Sequence, residues 1–271
     1  MGLEIERLRK IAEGREAEMF ALAGDKVLRL YRTGFATTDA ERQAASLRAI
    51  SAAGVRVPAV YGVTQVDGRP GIIMERLPGT DLMTLLGHQP WRLFSIARIS
   101  GRTHARINVT QAPSGLRSMR DRLRSMINNC PAIPDEFRLA GTEALDGLED
   151  GDRLCHGDFW PGNVMISGGK PVVLDWSNLT QGDPDADYAW SRMILEATDV
   201  PPWAPPLIRI SAKFARRILI AMYGREYEKV RHPNKDRVAR WRLPVLVARY
   251  ADGIETEYPR LRGLIEKQLT Q

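Results

Sequence analysis

His156-Gly157-Asp158-Phe159-Trp160-Pro161-Gly162-Asn163, followed by Val172-Val173-Leu174-Asp175-Trp176, governs how the rest of the chain is read. Three oxygen-bearing side chains stand out: Asp158, Asn163 and Asp175. The first two share a tight loop containing Pro161 and Gly162, and the third ends an apolar run. Val164–Ser167 and Pro171–Asp175 flank the turn Gly168-Gly169, the pattern of a hairpin, which would return Asp175 beside Asn163 so that all three converge. Hard oxygen ligands of this kind suit Mg²⁺. A further carboxylate can orient an attacking hydroxyl and accept its proton. Phosphoryl transfer asks for little covalent help beyond such positioning and the neutralisation of charge. The bland alternative is an Asp/Asn-rich turn between two helices; residue identity, spacing and the following hairpin together speak against it.

The spacing Asp-x₄-Asn, with His-Gly before it and an Asp on an apolar strand twelve residues later, resembles the catalytic and metal-binding loops of protein-kinase-like folds. His-Gly-Asp with Trp-Pro-Gly-Asn after it is similar in particular to the aminoglycoside phosphotransferase family. The resemblance implies an α+β, two-lobed protein-kinase-like fold. A small antiparallel sheet with one helix, residues 1–78, would bind nucleotide. A larger, mainly helical lobe, residues 79–271, would carry the catalytic loop and the acceptor site. It further implies ATP and Mg²⁺ as cofactors, Asp158 as catalytic base, and Asn163 and Asp175 as metal ligands, with a small-molecule hydroxyl as substrate. His156 is expected to orient the loop rather than transfer protons, and His104, on an apolar helix, to be a satisfied core histidine. Gly182-Asp183-Pro184 with the later Asp187 also resembles the family. Asp183 can cap the helix that Pro184 opens; Asp187 either braces the catalytic loop or serves only in simple capping and as surface charge. Only 11 residues separate Asp175 from Asp187 and no Ala-Pro-Glu follows, too short a segment to seat a polypeptide substrate.

The amino-terminal 80 residues carry the pattern of a small sheet. Met19–Leu22 and Lys26–Tyr31 are separated by Gly24-Asp25; Pro58–Val63 and Gly71–Glu75 by Asp67-Gly68. Thr38-Asp39 opens a helix with Ala44, Leu47 and Ile50 on one face. Gly14–Phe20 resembles a nucleotide loop of the family but holds one glycine. By the same resemblance, Arg29 stands where kinases place a lysine over the phosphates, and its planar fork suits that task. Its expected helix partner, a Glu, aligns with Gln43, while Glu41 is about 200° away around the helix. Backbone groups of Glu75, Arg76 and Leu77 would receive adenine between walls such as Val27 and Ile73.

Beyond Gly79 the pattern turns helical over about 91–108, 115–128, 136–148, 184–197, 205–223 and 236–268, with the hairpin interrupting. The chain has 271 residues, is 44% hydrophobic and holds two cysteines, a composition suited to a globular enzyme of the reducing cytoplasm. The opening Met1–Lys10 is charged throughout, unlike a signal peptide, and no apolar run approaches a membrane span. Residues 201–271 carry 15 Lys/Arg against 7 Asp/Glu, whereas residues 1–200 carry 24 against 26. The basic residues interleave with apolar ones, as on helices with one solvated face, so nucleic acid is not an expected partner. The same basic bias makes polycationic aminoglycosides less expected as acceptors than amino alcohols, sugars or macrolides, without removing them. The glycine-poor loop and Gln43 keep open an alternative, a nucleotide-binding regulator with little catalysis.

Overall fold

The computed structural model describes residues 5–197 and 206–270. Its contacts divide the chain into two compact units, one running to Asp81 and including Val164–Ser177, the other made of Leu82–Asn163 and the residues from Asn178 onward. The architecture is α+β, as expected.

In the first unit, β1 (Arg9–Glu13), β2 (Ala17–Leu22), β3 (Lys26–Tyr31), β4 (Val60–Val66) and β5 (Arg69–Glu75) form one antiparallel sheet in the order β1-β2-β3-β5-β4. β1 escaped the sequence pattern because all five of its residues are exposed, leaving no apolar alternation to read. Phe20, Leu28, Leu30 and Val66 bury a small core on this sheet. Between β3 and β4 lies α1 (Thr37–Ala52), whose first turn is capped by the Asp39 carboxylate accepting from the Ala36 N–H at 2.9 Å. Ala40, Ala44, Leu47 and Ile50 form its buried stripe at the i, i+3, i+4 spacing of one helix face.

The second unit begins with α2 (Leu82–His88), α3 (Leu93–Val109), α4 (Met119–Asn129) and α5 (Asp135–Asp146). α4 starts four residues later than the apolar pattern suggests because Ser118 caps it, its hydroxyl accepting from the Asp121 N–H at 3.1 Å. A short strand, β6 (Arg153–Cys155), then leads into the loop His156–Asn163. The hairpin β7 (Val164–Ser167) and β8 (Lys170–Val173) forms as read, yet it belongs to the first unit. Asp81 bridges Met165, and the Val173 N–H bonds the Arg56 carbonyl at 3.1 Å. A linear boundary at 78/79 therefore does not describe the packing: backbone pairing draws residues 164–177 away from their neighbours in sequence.

The chain returns through β9 (Thr180–Gly182), paired with β6, to α6 (Pro184–Ala197), α7 (Pro206–Glu228), α8 (Lys235–Ala248) and α9 (Tyr258–Leu269). The expected start of α7 at 205 lies outside the described residues. The single helix expected over 236–268 is two. α8 carries Pro244 internally without breaking, and the break comes where Gly253 adopts a left-handed φ of 68°, a conformation that ends helices. Met119, Leu123, Trp190, Met193, Trp241 and Ile265 belong to the large core of this unit. Cys155 is buried, which pushes its thiol well up, and Cys130 is half-buried; neither forms a disulfide. No helix among the described residues is long and apolar enough to cross a membrane.

Candidate active site

The loop after β6 is held from below by one buried carboxylate. Asp187, on the first turn of α6, accepts four N–H donors. Its Oδ2 takes His104 Nε2 at 2.9 Å, Asn108 Nδ2 at 2.8 Å and the His156 N–H at 2.8 Å, and its Oδ1 takes the Gly157 N–H at 2.8 Å. Burial works to raise the carboxyl's pKa. The charge and hydrogen bond of His104, with the Asn108 amide, outweigh it and hold the group well below the usual carboxylate range. Of its two readings, the structure decides for the brace.

His104 completes the support as a satisfied core histidine. It is fully buried, stacks on Phe159 with ring centroids 4.4 Å apart, and sets Nδ1 2.5 Å from the Tyr223 hydroxyl. Asn108 follows His104 by four residues on α3, the same face of the helix, which is the signal by which sequence reading could have found it. The Tyr227 hydroxyl donates to Asn108 Oδ1 at 2.8 Å, which fixes the orientation of that amide. Asp183 caps α6 through the Asp185 N–H at 2.9 Å and accepts Trp241 Nε1 at 2.8 Å.

Within the loop, His156 is buried and its Nδ1 accepts from the Asp158 N–H at 3.2 Å, an orienting role. Gly157 has φ 73°, and a Cβ there would lie 2.3 Å from the Asn178 carbonyl oxygen. This is why glycine, and not a side chain, stands between His156 and Asp158. Gly157→Ala should therefore destabilise the protein by more than about 2 kcal/mol, the sum of left-handed strain and overpacking, and disorder Asp158. Denaturant melts and turnover measured on one preparation would check both, and a variant of wild-type stability would contradict the geometry.

Asp158 and Asn163 are brought together as expected. Asn163 Nδ2 donates to the Asp158 carbonyl at 2.8 Å and approaches its carboxylate Oδ2 at 3.3 Å. With the amide nitrogen so engaged, Asn163 Oδ1 is left as an oxygen donor. Asp175 and Arg29 meet within the first unit. Asp175 adopts φ 53°, uncommon outside glycine but best tolerated by Asp and Asn, and its half-exposed carboxylate accepts the Ser177 hydroxyl at 2.8 Å. Arg29, on β3, places Nη2 3.9 Å from Asp175 Oδ1 and 3.5 Å from Glu16 Oε2. Glu16 as a partner escaped the sequence reading, because a loop residue 13 positions away carries no periodic signal.

Gln43 does not engage Arg29; its Nε2 is buried without a partner among the described residues. Glu41 is exposed, as the helical angle implies. At the end of β5 the groups expected to receive adenine are already partly committed. The Glu75 carboxylate grips Arg56 at 2.5 and 2.8 Å, which holds its pKa below the usual range. The Glu75 N–H bonds the Ala59 carbonyl at 2.8 Å and the Arg76 N–H bonds that of Asp25 at 3.0 Å. Among the described residues the Leu77 N–H has no such acceptor.

Residues 7–227 match the family model described as the phosphotransferase enzyme family, APH. The chain belongs to this family. A putative fructosamine-3-kinase from Haemophilus somnus 129PT, 13% identical, covers 97% of this chain and 91% of its own with a TM-score of 0.63. An aminoglycoside phosphotransferase from Streptomyces rimosus, solved with ADP and streptomycin, is 15% identical, covers 89% and 92%, and has a TM-score of 0.54. These likenesses are of fold. Acyl-CoA dehydrogenase family member 10 of Mus musculus is 28% identical over 173 residues, 56% of this chain and 16% of that protein. The chain thus spans about 16% of the length of the curated relative it matches. The chain is thus a member of the phosphotransferase enzyme family, and its fold is that of kinase-like phosphotransferases.

Proposed function

We propose that the protein transfers the γ-phosphate of ATP to a hydroxyl of a small molecule. The observation that carries this is the Asn163–Asp158 pair: a loop of eight residues, fastened by Asp187, sets a carboxylate beside an amide whose nitrogen is already tied back. Asp158 orients the acceptor hydroxyl and takes its proton as the oxygen attacks phosphorus. Asn163 Oδ1 and Asp175 are hard oxygen donors, as Mg²⁺ requires, and would hold it; when bound it neutralises charge on the phosphates. Arg29 binds a phosphate oxygen, giving up its loose approach to Glu16 for a charge-assisted bond. The Leu77 N–H, without a protein acceptor among the described residues, donates to adenine, with the Glu75 carbonyl as the neighbouring acceptor. The ADP complex of the Streptomyces rimosus relative supports a nucleotide donor. Two free cysteines suit a cytoplasmic setting.

The alternative, a nucleotide-binding regulator with little catalysis, is favoured by one observation: Gln43 leaves Arg29 without a partner from α1. A panel of amino alcohols, sugars, aminoglycosides and macrolides separates the two, read by transfer of labelled phosphate from MgATP and by thermal shift. The kinase reading expects MgATP to bind and at least one acceptor to gain phosphate. Binding of MgATP with no transfer to any acceptor would favour the regulator, and failure to bind it would end both readings.

A further inference from the structure

Asp187 fastens the loop His156–Asn163, and two of its donors are side chains of α3, His104 and Asn108. They stand four residues apart, on one face of the helix. Each is backed by a tyrosine of α7. Tyr223 sets its hydroxyl 2.5 Å from His104 Nδ1, and Tyr227 donates to Asn108 Oδ1 at 2.8 Å. The two tyrosines are also four residues apart, so matching faces of α3 and α7 meet pair by pair. The helices come close enough because Gly101 stands on α3 at the contact, where a Cβ would collide with the Tyr223 carbonyl.

On the Tyr227 side the direction of every bond is forced. Asn108 spends its amide nitrogen on the Leu154 carbonyl at 3.0 Å and on Asp187 Oδ2 at 2.8 Å, and keeps only Oδ1 to accept. Tyr227 must therefore donate, and its oxygen accepts from Arg231 Nη1 at 3.4 Å. Arg231, which can only donate, also binds Asp185 Oδ1 at 2.7 Å. Asp185 and Asp187 share the first turn of α6, so the bonds close a ring through Arg231, Tyr227 and Asn108. Asn108, Tyr227, Asp185 and Asp187 are at most 1% exposed, and water does not compete for these bonds. On the Tyr223 side, His104 gives Nε2 to Asp187, and Nδ1 of the neutral ring accepts the tyrosine hydroxyl.

We propose that Tyr223 and Tyr227 are positioning residues for phosphate transfer. Their hydroxyls hold His104 and Asn108, these hold Asp187, and Asp187 holds the His156 and Gly157 N–H groups that lead into Asp158. Asn108 adds a second grip through Leu154, two residues before His156. Their part in transfer rests on the phosphotransfer reading; their hold on the loop does not. Removing either hydroxyl leaves a buried acceptor, Asn108 Oδ1 or His104 Nδ1, without its donor. The side chain then loosens its grip on Asp187, and the loop samples positions in which the Asp158 carboxylate is misplaced.

The test removes one hydroxyl at a time from the full chain and keeps every aromatic ring. Tyr223→Phe and Tyr227→Phe are the variants. Tyr188→Phe is the control, because Tyr188 packs on Tyr227 with ring centroids 4.4 Å apart yet lies outside the bonded ring. Amide hydrogen exchange at His156 and Gly157 should quicken by about 3- to 10-fold in each variant, the worth of one buried hydrogen bond. With an acceptor from the panel, kcat per folded molecule should fall by about 3- to 10-fold, while KM for MgATP changes by less than about twofold. A merely structural role would lower the melting temperature and leave loop exchange and kcat as in the wild type. Unchanged exchange at the two amides in either variant would overturn the proposal, as would an unchanged kcat or an equal response in Tyr188→Phe. Should Tyr227→Phe fail to fold, Tyr223→Phe carries the same test through His104. If no acceptor gains phosphate, the phosphotransfer reading fails separately and exchange alone decides. A response confined to Tyr223→Phe and Tyr227→Phe then supports their hold on the loop, and no response overturns it.

Discussion

Asp158→Asn should lower the turnover of phosphate transfer by about 10²- to 10⁴-fold, the usual contribution of a positioned general base. The substitution keeps shape and removes the proton acceptor. The loop should survive it, because the 2.8 Å bond from Asn163 Nδ2 ends on the Asp158 backbone carbonyl, which the variant retains. The His156 contact likewise uses the Asp158 N–H and not its side chain. MgATP affinity, measured by calorimetry, should therefore change by less than about threefold while single-turnover transfer collapses. That combination separates a base from a nucleotide ligand. Full transfer by the variant would remove Asp158 from the chemistry and with it the reading of the whole loop.

Asp187→Ala should cost about 3–5 kcal/mol of stability, the usual penalty for removing one partner from a buried charged network. Four donors lose their acceptor at once: His104 Nε2, Asn108 Nδ2 and the N–H groups of His156 and Gly157. The last two belong to the catalytic loop, so activity should fall in the surviving folded protein as well. At this chain length the melting temperature should drop by roughly 10 °C.

The pH dependence gives a second handle on the same residue. Asp187's pKa is depressed in the folded protein, so its ionic contribution is complete above the unfolded value of about 4 and is lost only as pH falls through the lower folded value. The stability difference between the wild type and Asp187→Asn, from denaturant melts, should stay flat from pH 7 to about 4 and narrow only below that. A difference that already shrinks between pH 6 and 5 would mean that the carboxylate is not held as described.

How much of this was legible in the sequence depended on how local each cause is. The hairpin β7–β8 and the turn at Asp67-Gly68 were readable because turn residues and alternation lie within a dozen positions. The β1 strand was not, because an exposed strand carries no apolar period and exists only by pairing with β2. The two strands β6 and β9 are three residues each, too short for any pattern, and are joined across 24 intervening residues. Asp187 stood undecided between cap and brace until its four donors, gathered from α3 and the loop, could be seen. Gln43 was correctly flagged as a departure, yet that Arg29 turns to Glu16 and Asp175 instead was invisible to helix geometry.

By itself the sequence pointed to the family and to the residues proposed to carry its chemistry, because Asp158, Asn163 and Asp175 at their spacing, with the glycine that a left-handed φ demands at 157, are properties of a short stretch of chain. It also determined the run of apolar stripes that makes a sheet followed by helices. Only the tertiary structure decided what holds the loop in place. Burial and the distances between hydrogen-bonding groups arise from segments far apart in the chain, so Tyr223 behind His104 and Tyr227 behind Asn108 are both simply tyrosines until the helices pack.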